Sequence, residues 1–233
     1  MTVKASKTDN LPQILLYAIF AWFLKPLLGI TIEGKDKISI KKPVLIIANH
    51  RSKLDPFIIL SAMGWKNFLK FYPWRFPLAK SLAEKWWIKW PSWYIGCYQI
   101  EGRGDLDKSL EETFRAIDKE YSIVFFPEGK MTLKDEISKT KKGIGHICLK
   151  RDVYLLPVKI DHVGFTKRTR RGKITRSSIT FGNMIDSKFI RENNEPENLH
   201  EVIMDRINEI NSSQRMTSQN PIHQDSSFEI QAK

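Results

Sequence analysis

Cysteine is scarce in this chain: two residues among 233, Cys97 and Cys148, with no spacing that suits a metal site. That excludes a disulfide scaffold and reads as two reduced core thiols of a cytosolic compartment. Acidic residues are also in short supply. Lys+Arg number 38 against Asp+Glu 26, a formal charge of +12. Such an excess implies anionic partners: nucleic acid, anionic lipid or a phosphorylated substrate. The sequence has no internal repeat. No cleavable signal peptide is expected, because the first apolar stretch starts late and lacks a small-residue cleavage site. An uninterrupted spanning run is missing too. Residues 11–30 are strongly apolar but broken at Lys25-Pro26, whereas a spanning helix needs about 20 mainly apolar residues and Pro kinks a helix. Apolar residues lie nearly all round its first part, which argues against a simple amphipathic surface helix. The segment is expected to be helical and membrane-associating, dipping into one leaflet; a buried core helix and a true span are the other readings.

What is present is enough for one full core. Hydrophobic residues make up 42% and charged residues 27%, ordinary for a globular α/β domain. The expected organisation is a membrane-associating segment at 1–30, a domain at 31–211 and a disordered Ser/Gln/Asn-rich tail at 212–233.

The domain is organised around residues 44–57. Val44 to Ala48 is an apolar, β-branched run bounded in front by Lys41-Lys42-Pro43, which predicts a buried strand. Asp55-Pro56 then opens an apolar helix containing Phe57, Ile58, Leu60 and Met63, Asp being a helix-capping residue and Pro suiting the first helical position. His50 falls in the turn between them. A carboxylate five residues on could orient its imidazole as a base, or Asp55 could simply cap the helix beside a loop histidine.

Further strands are predicted at 31–40 (short, with a turn), 94–100, 122–126, 153–160 and 174–181, with helices from Asp105, through Leu149, and from Pro196. Alternating strands and helices give an α/β fold with a mostly parallel central sheet flanked by helices. Sites in such sheets gather beyond the carboxyl ends of strands, and His50, Arg103 and Glu128 each follow a predicted strand. Six of the seven Trp lie between Trp65 and Trp93, interleaved with Phe68, Phe71, Tyr72, Phe76 and six Lys or Arg. A crowded aromatic core with a basic outer face would account for this, but Trp and Tyr prefer the membrane interface and Lys and Arg snorkel to headgroups. Beside the N-terminal segment, membrane contact is the expectation.

Asn49-His50-x-Ser52-x-x-Asp55 resembles the first motif of the glycerolipid acyltransferases, the 1-acylglycerol-3-phosphate acyltransferase family. Phe126-Pro127-Glu128-Gly129-Lys130 resembles the third motif, Lys141-Lys142-Gly143 also suits the family, and Leu155-Leu156-Pro157-Val158 resembles the fourth. Gly96 to Arg103 is a poorer match to the second. The resemblance covers roughly residues 30–185 and implies acyl transfer from acyl-CoA or acyl carrier protein to the free hydroxyl of a lysophospholipid, above all 1-acylglycerol-3-phosphate (lysophosphatidic acid). His50 would be the general base and Asp55 would fix its tautomer. Imidazole, with an unperturbed pKa of ~6.5, suits that work at neutral pH. By the same resemblance Arg103, Glu128, Gly129 and Lys130 form the acceptor site, the two cations holding its phosphate. No metal or prosthetic group is implied.

Two departures stand out. Lys130 follows Gly129 directly, where the family has an Arg nearby, and Lys lacks the bidentate fork. Arg103 comes seven residues after Gly96 rather than six, which turns a side chain over at a strand end unless a bulge absorbs it. Membrane association at the cytoplasmic face of the inner (plasma) membrane is expected, the charge drawing the protein to anionic headgroups. The competing readings are another lyso-lipid acceptor, a hydrolase with the same dyad, a lipid-binding protein with an inactive site, and a nucleic-acid binder using the basic segments 134–151 and 167–176. No RNA or DNA module is recognisable, so nucleic acid is not an expected partner.

Overall fold

The computed structural model describes residues 12–15, 17–19, 30–85, 92, 95–101, 104–131, 140–162 and 177–219. Their strands are β1 (Thr31–Glu33), β2 (Val44–Ala48), β3 (Trp74–Ala79), β4 (Cys97–Ile100), β5 (Ser122–Phe125), β6 (Tyr154–His162), β7 (Ser177–Phe181) and β8 (Ile185–Asp186). They form one sheet in the order β1-β7-β6-β2-β5-β3-β4, with β8 also on β6. β6 runs antiparallel to β7 and β8, and the remaining pairs are parallel. The helices are α1 (Asp55–Met63), α2 (Trp65–Phe71), α3 (Lys80–Ala83), α4 (Leu106–Ser109), α5 (Glu111–Asp118), α6 (Gly143–Lys150), α7 (Ser187–Asn193) and α8 (Leu199–Gln219).

β2 is central because every one of its residues is apolar and can be buried on both faces. Val44, Ile46 and Ala48 join a cluster with Ile58, Ile59 and Met63 of α1, Phe68 and Phe71 of α2, and Trp74. Leu45 and Ile47 face the other side, against Leu110 and Ile117, Ile144 and Ile147 of α6, and Ile203 and Ile207 of α8. Each fully buried side chain of the larger kind contributes roughly 1.5–3 kcal/mol, so the strand that leads to His50 is anchored in buried core on both faces. Its parallel partners β5 and β6 place their carboxyl ends on the same edge.

Three expectations change here. The aromatic segment is largely core where it is described: Phe68, Phe71 and Trp74 are fully buried, and among its described Trp only Trp65 is exposed. Trp86, Trp87, Trp90 and Trp93 lie outside the described residues. In the N-terminal stretch, residues 1–11, 16 and 20–29 lie outside the described residues; among the described residues no helix is long and apolar enough to cross a membrane. The helical residues 12–15 and 17–19 instead send a polar side chain inward. Gln13 Nε2 donates to the carbonyls of Trp74 and Ile95, each at 2.9 Å, and the Tyr17 ring stacks on Phe68 at 3.8 Å. Finally, α8 continues to Gln219, past residue 212 where a disordered tail was expected to begin.

Candidate active site

β2 and β5 are paired with Ile47 opposite Phe125. Three residues beyond each lie His50 and Glu128, so parallel pairing alone brings the first and third motifs level. Asn49 locks the end of β2. Its side chain is fully buried; Nδ2 donates to the Ile160 carbonyl and Oδ1 accepts from the Ile160 N–H, both at 2.8 Å. This amide replaces a rung of the β2–β6 ladder, and the main chain is free to turn at His50.

The turn is built around one oxygen. Asp55 Oδ2 accepts from the Arg51 N–H at 2.6 Å and the Ser52 N–H at 2.7 Å, and lies 2.9 Å from His50 Nδ1. Asp55 is fully buried. It is not the helix cap: α1 has Leu54 in that position, with no side-chain hydrogen bond. The carboxylate points back to the loop, against the His50 ring, rather than along the helix. A carboxylate only accepts, so the proton of a neutral imidazole sits on Nδ1 and Nε2 keeps its lone pair. The imidazole is partly open, with a side-chain exposure of 19%, and its face is covered by the Phe126 ring at 4.1 Å.

Glu128 is almost fully buried, and its Oε1 accepts from the His50 backbone N–H at 3.1 Å. The turn carrying it closes with a Gly129 N–H to Phe126 carbonyl bond of 3.0 Å. Gly129 has φ +63°, a left-handed conformation that suits glycine. Lys130 is exposed. Arg103 lies outside the described residues. Thus His50, Asp55, Glu128 and Gly129 come together, with Lys130 at the rim.

Several contacts around the site cannot be read from the sequence. The bond from Asn49 to Ile160 spans 111 positions, and the Phe126 stack depends on β2–β5 pairing. Lys80 and Glu101 follow β3 and β4 on the same edge and meet at 2.8 Å; their hydrogen bond holds Glu101 below, and Lys80 above, the ordinary range. Gly96 has a packing reason visible only in three dimensions. It has φ +79°, and a Cβ there would come within 2.1 Å of Gln13 Nε2 and 2.7 Å of the Trp74 carbonyl. Among the described residues no three His, Cys, Asp or Glu side chains converge as metal ligands would.

A family model described as Acyltransferase matches residues 29–161, from β1 through nearly all of β6. The chain belongs to the acyltransferase family. Two bacterial relatives are each named probable 1-acyl-sn-glycerol-3-phosphate acyltransferase. The Mycoplasma genitalium protein is 27% identical over 197 residues, 78% of this chain and 72% of its own length. The Mycoplasma pneumoniae protein is 29% identical over 142 residues, 58% of this chain. The acyltransferase match spans about half of that relative, 52% of its length. Among solved structures, the 1-acyl-sn-glycerophosphate (LPA) acyltransferase PlsC from Thermotoga maritima superposes with a TM-score of 0.62 at 18% identity, covering 87% of this chain and 81% of that one. The acyltransferase fold, a central sheet flanked by helices, is therefore shared.

Proposed function

We propose that this acyltransferase moves a fatty acyl group from acyl-CoA or acyl carrier protein to the free hydroxyl of lysophosphatidic acid, giving phosphatidic acid. The observation that carries the reading is the buried Asp55 carboxylate held against His50 Nδ1 by two backbone N–H groups, which leaves Nε2 open as a base. Nε2 takes the proton from the acceptor hydroxyl, and that oxygen attacks the thioester carbonyl carbon. The tetrahedral oxyanion collapses, the C–S bond breaks, and the imidazolium returns its proton to the leaving thiolate. Asp55 stabilises the imidazolium while it exists. No Ser or Cys nucleophile enters. Such a base contributes roughly 10²–10⁴ in rate.

Glu128 and Gly129 shape the acceptor side, with Lys130 and Arg103 the cations for its phosphate. The family resemblance of these motifs and the names of the relatives support this acceptor; another lyso-lipid remains the second reading. No metal or prosthetic group is part of the mechanism.

The enzyme works at the cytoplasmic face of the inner membrane, docked on its anionic surface. Support comes from exposed apolar residues, Trp65 and Leu69 of α2 and Leu15 and Ile19 of the N-terminal helical residues, with Lys66 and Lys70 also exposed on α2. Trp65 packs against Tyr17 at 5.5 Å, which joins the N-terminal helical residues to α2. A nucleic-acid role has no comparable support. The test is product analysis: purified protein in detergent, lysophosphatidic acid, and each thioester donor in turn. Phosphatidic acid with either donor is the expected result, and no product with both donors would overturn the reading.

A further inference from the structure

The third motif of this chain offers no guanidinium: Lys130 and Met131 follow Gly129. A second cation nevertheless reaches the same turn from a distance in sequence. The Lys141 backbone N–H donates to the Pro127 carbonyl at 3.0 Å, which staples residue 141 onto the turn that holds Glu128. Its side chain then lies across Gly129. A Cβ at 129 would stand 2.7 Å from Lys141 Cδ and Cε and 2.8 Å from Nζ. Gly129 is thus needed twice, for its φ of +63° and for the slot its missing side chain leaves to the lysine. Glu128, the neighbour of Gly129, bonds the His50 N–H, so the ammonium is carried by the turn that also steadies the base.

Lys141 is exposed, so its ammonium is open to an incoming anion at the turn, and an ammonium makes charge-assisted hydrogen bonds to phosphate. We propose that Lys141 is a phosphate-binding residue of this site: it holds a substrate phosphate beside the Glu128–Gly129 turn and makes up for the absent guanidinium. The inference rests on the acyltransferase reading above. Two substrates bring phosphate, the lysophosphatidic acid acceptor and the coenzyme A donor, and the chemistry of recognition is common to both.

The experiment measures binding by calorimetry in a His50→Ala background, where no turnover intervenes. The probes are lysophosphatidic acid, monoacylglycerol of the same chain in identical micelles, and coenzyme A. Lys141→Met keeps the stem and removes the charge; Lys141→Arg keeps the charge. Lys141→Met should weaken one phosphate-bearing probe by ~10- to 100-fold, the range for losing a hydrogen bond to a charged group, with monoacylglycerol little changed and Lys141→Arg close to the parent. Loss on lysophosphatidic acid places the acceptor phosphate there, and loss on coenzyme A places the donor's. Equal affinities of Lys141→Met and its parent for both phosphate probes, or a parent that does not bind lysophosphatidic acid better than monoacylglycerol and does not bind coenzyme A, would overturn the proposal. Acyl transfer by the unmutated protein is assayed in parallel. A phosphate preference that needs Lys141 without any transfer would sink the proposed reaction and leave this site standing.

Discussion

The backbone N–H of His50 donates to the Glu128 carboxylate at 3.1 Å, so the acid of one motif supports the loop of another 78 positions away. Glu128→Gln keeps an oxygen acceptor in place, whereas Glu128→Ala leaves the N–H without it, at a cost of roughly 1–3 kcal/mol. Urea unfolding should show Glu128→Ala destabilised by about that amount and Glu128→Gln close to wild type. If both variants unfold like wild type, the contact has no structural role.

Asp55→Asn tests the charge. Oδ2 alone meets Arg51 N–H, Ser52 N–H and His50 Nδ1, so an amide oxygen in its place keeps all three contacts and the tautomer, and what is lost is the negative charge opposite the imidazolium. Acyl transfer should fall by ~10² or more while the circular dichroism spectrum and melting temperature stay near wild type. Equal activity would reduce Asp55 to a turn-forming residue.

Membrane docking has its own test in Leu69, 41% exposed on α2. Leu69→Glu removes apolar area and adds a like charge facing anionic lipid. Flotation with phosphatidylglycerol-containing vesicles should show binding weakened at least ~10-fold, since one charge near such a surface counts for about 1 kcal/mol and a buried Leu for 1.5–3. Activity on a micellar substrate should fall much less. Unchanged flotation would move the docking face elsewhere.

Burial pushes both Cys97 and Cys148 up to about 12. Thiolate is therefore rare in the folded protein at pH 8, and alkylation should be slower than in the unfolded chain, most of all at the buried Cys148. The sign of the linkage follows: folded thiols titrate above unfolded ones, near ~8.5, so their contribution is complete below pH ~8.5 and is lost as pH rises toward 12. Denaturation at pH 8 and at pH 10.5 should show lower stability at the higher pH, and Cys97→Ser/Cys148→Ala should flatten that difference. An equal pH dependence in the variant would assign the loss to other groups.

Much of this was legible in the sequence, and the particular failures are instructive. β2, β5 and β6 announce themselves because buried parallel strands need continuous apolar runs, and the order of the motifs names His50, Asp55 and Glu128. β3 was not legible. It contains Pro77 and Arg75, yet it stands because it changes neighbours midway: Trp74 and Arg75 pair with β5, and Phe76 to Ala79 with β4, so Pro77 falls past the last β5 pair, where a missing N–H is tolerated. In the aromatic segment, interface Trp and core Trp look alike in one dimension. Trp74 settles in the core, its Nε1–H donating to the Phe68 carbonyl at 3.1 Å. Asp55 was ambiguous for a related reason: Asp before Pro starts a helix whether its carboxylate points forward to cap or back to a histidine. Lys141 could be noticed beside Gly143 but not seated on Gly129, since that contact depends on a staple to Pro127.

The most direct test of the central claim is the steady-state rate of acyl transfer to lysophosphatidic acid by His50→Ala beside the wild type. A loss of at least ~10² in kcat, with the fold intact, is the result this mechanism requires. Wild-type rates in His50→Ala would contradict it, and the base would have to be sought elsewhere in the molecule.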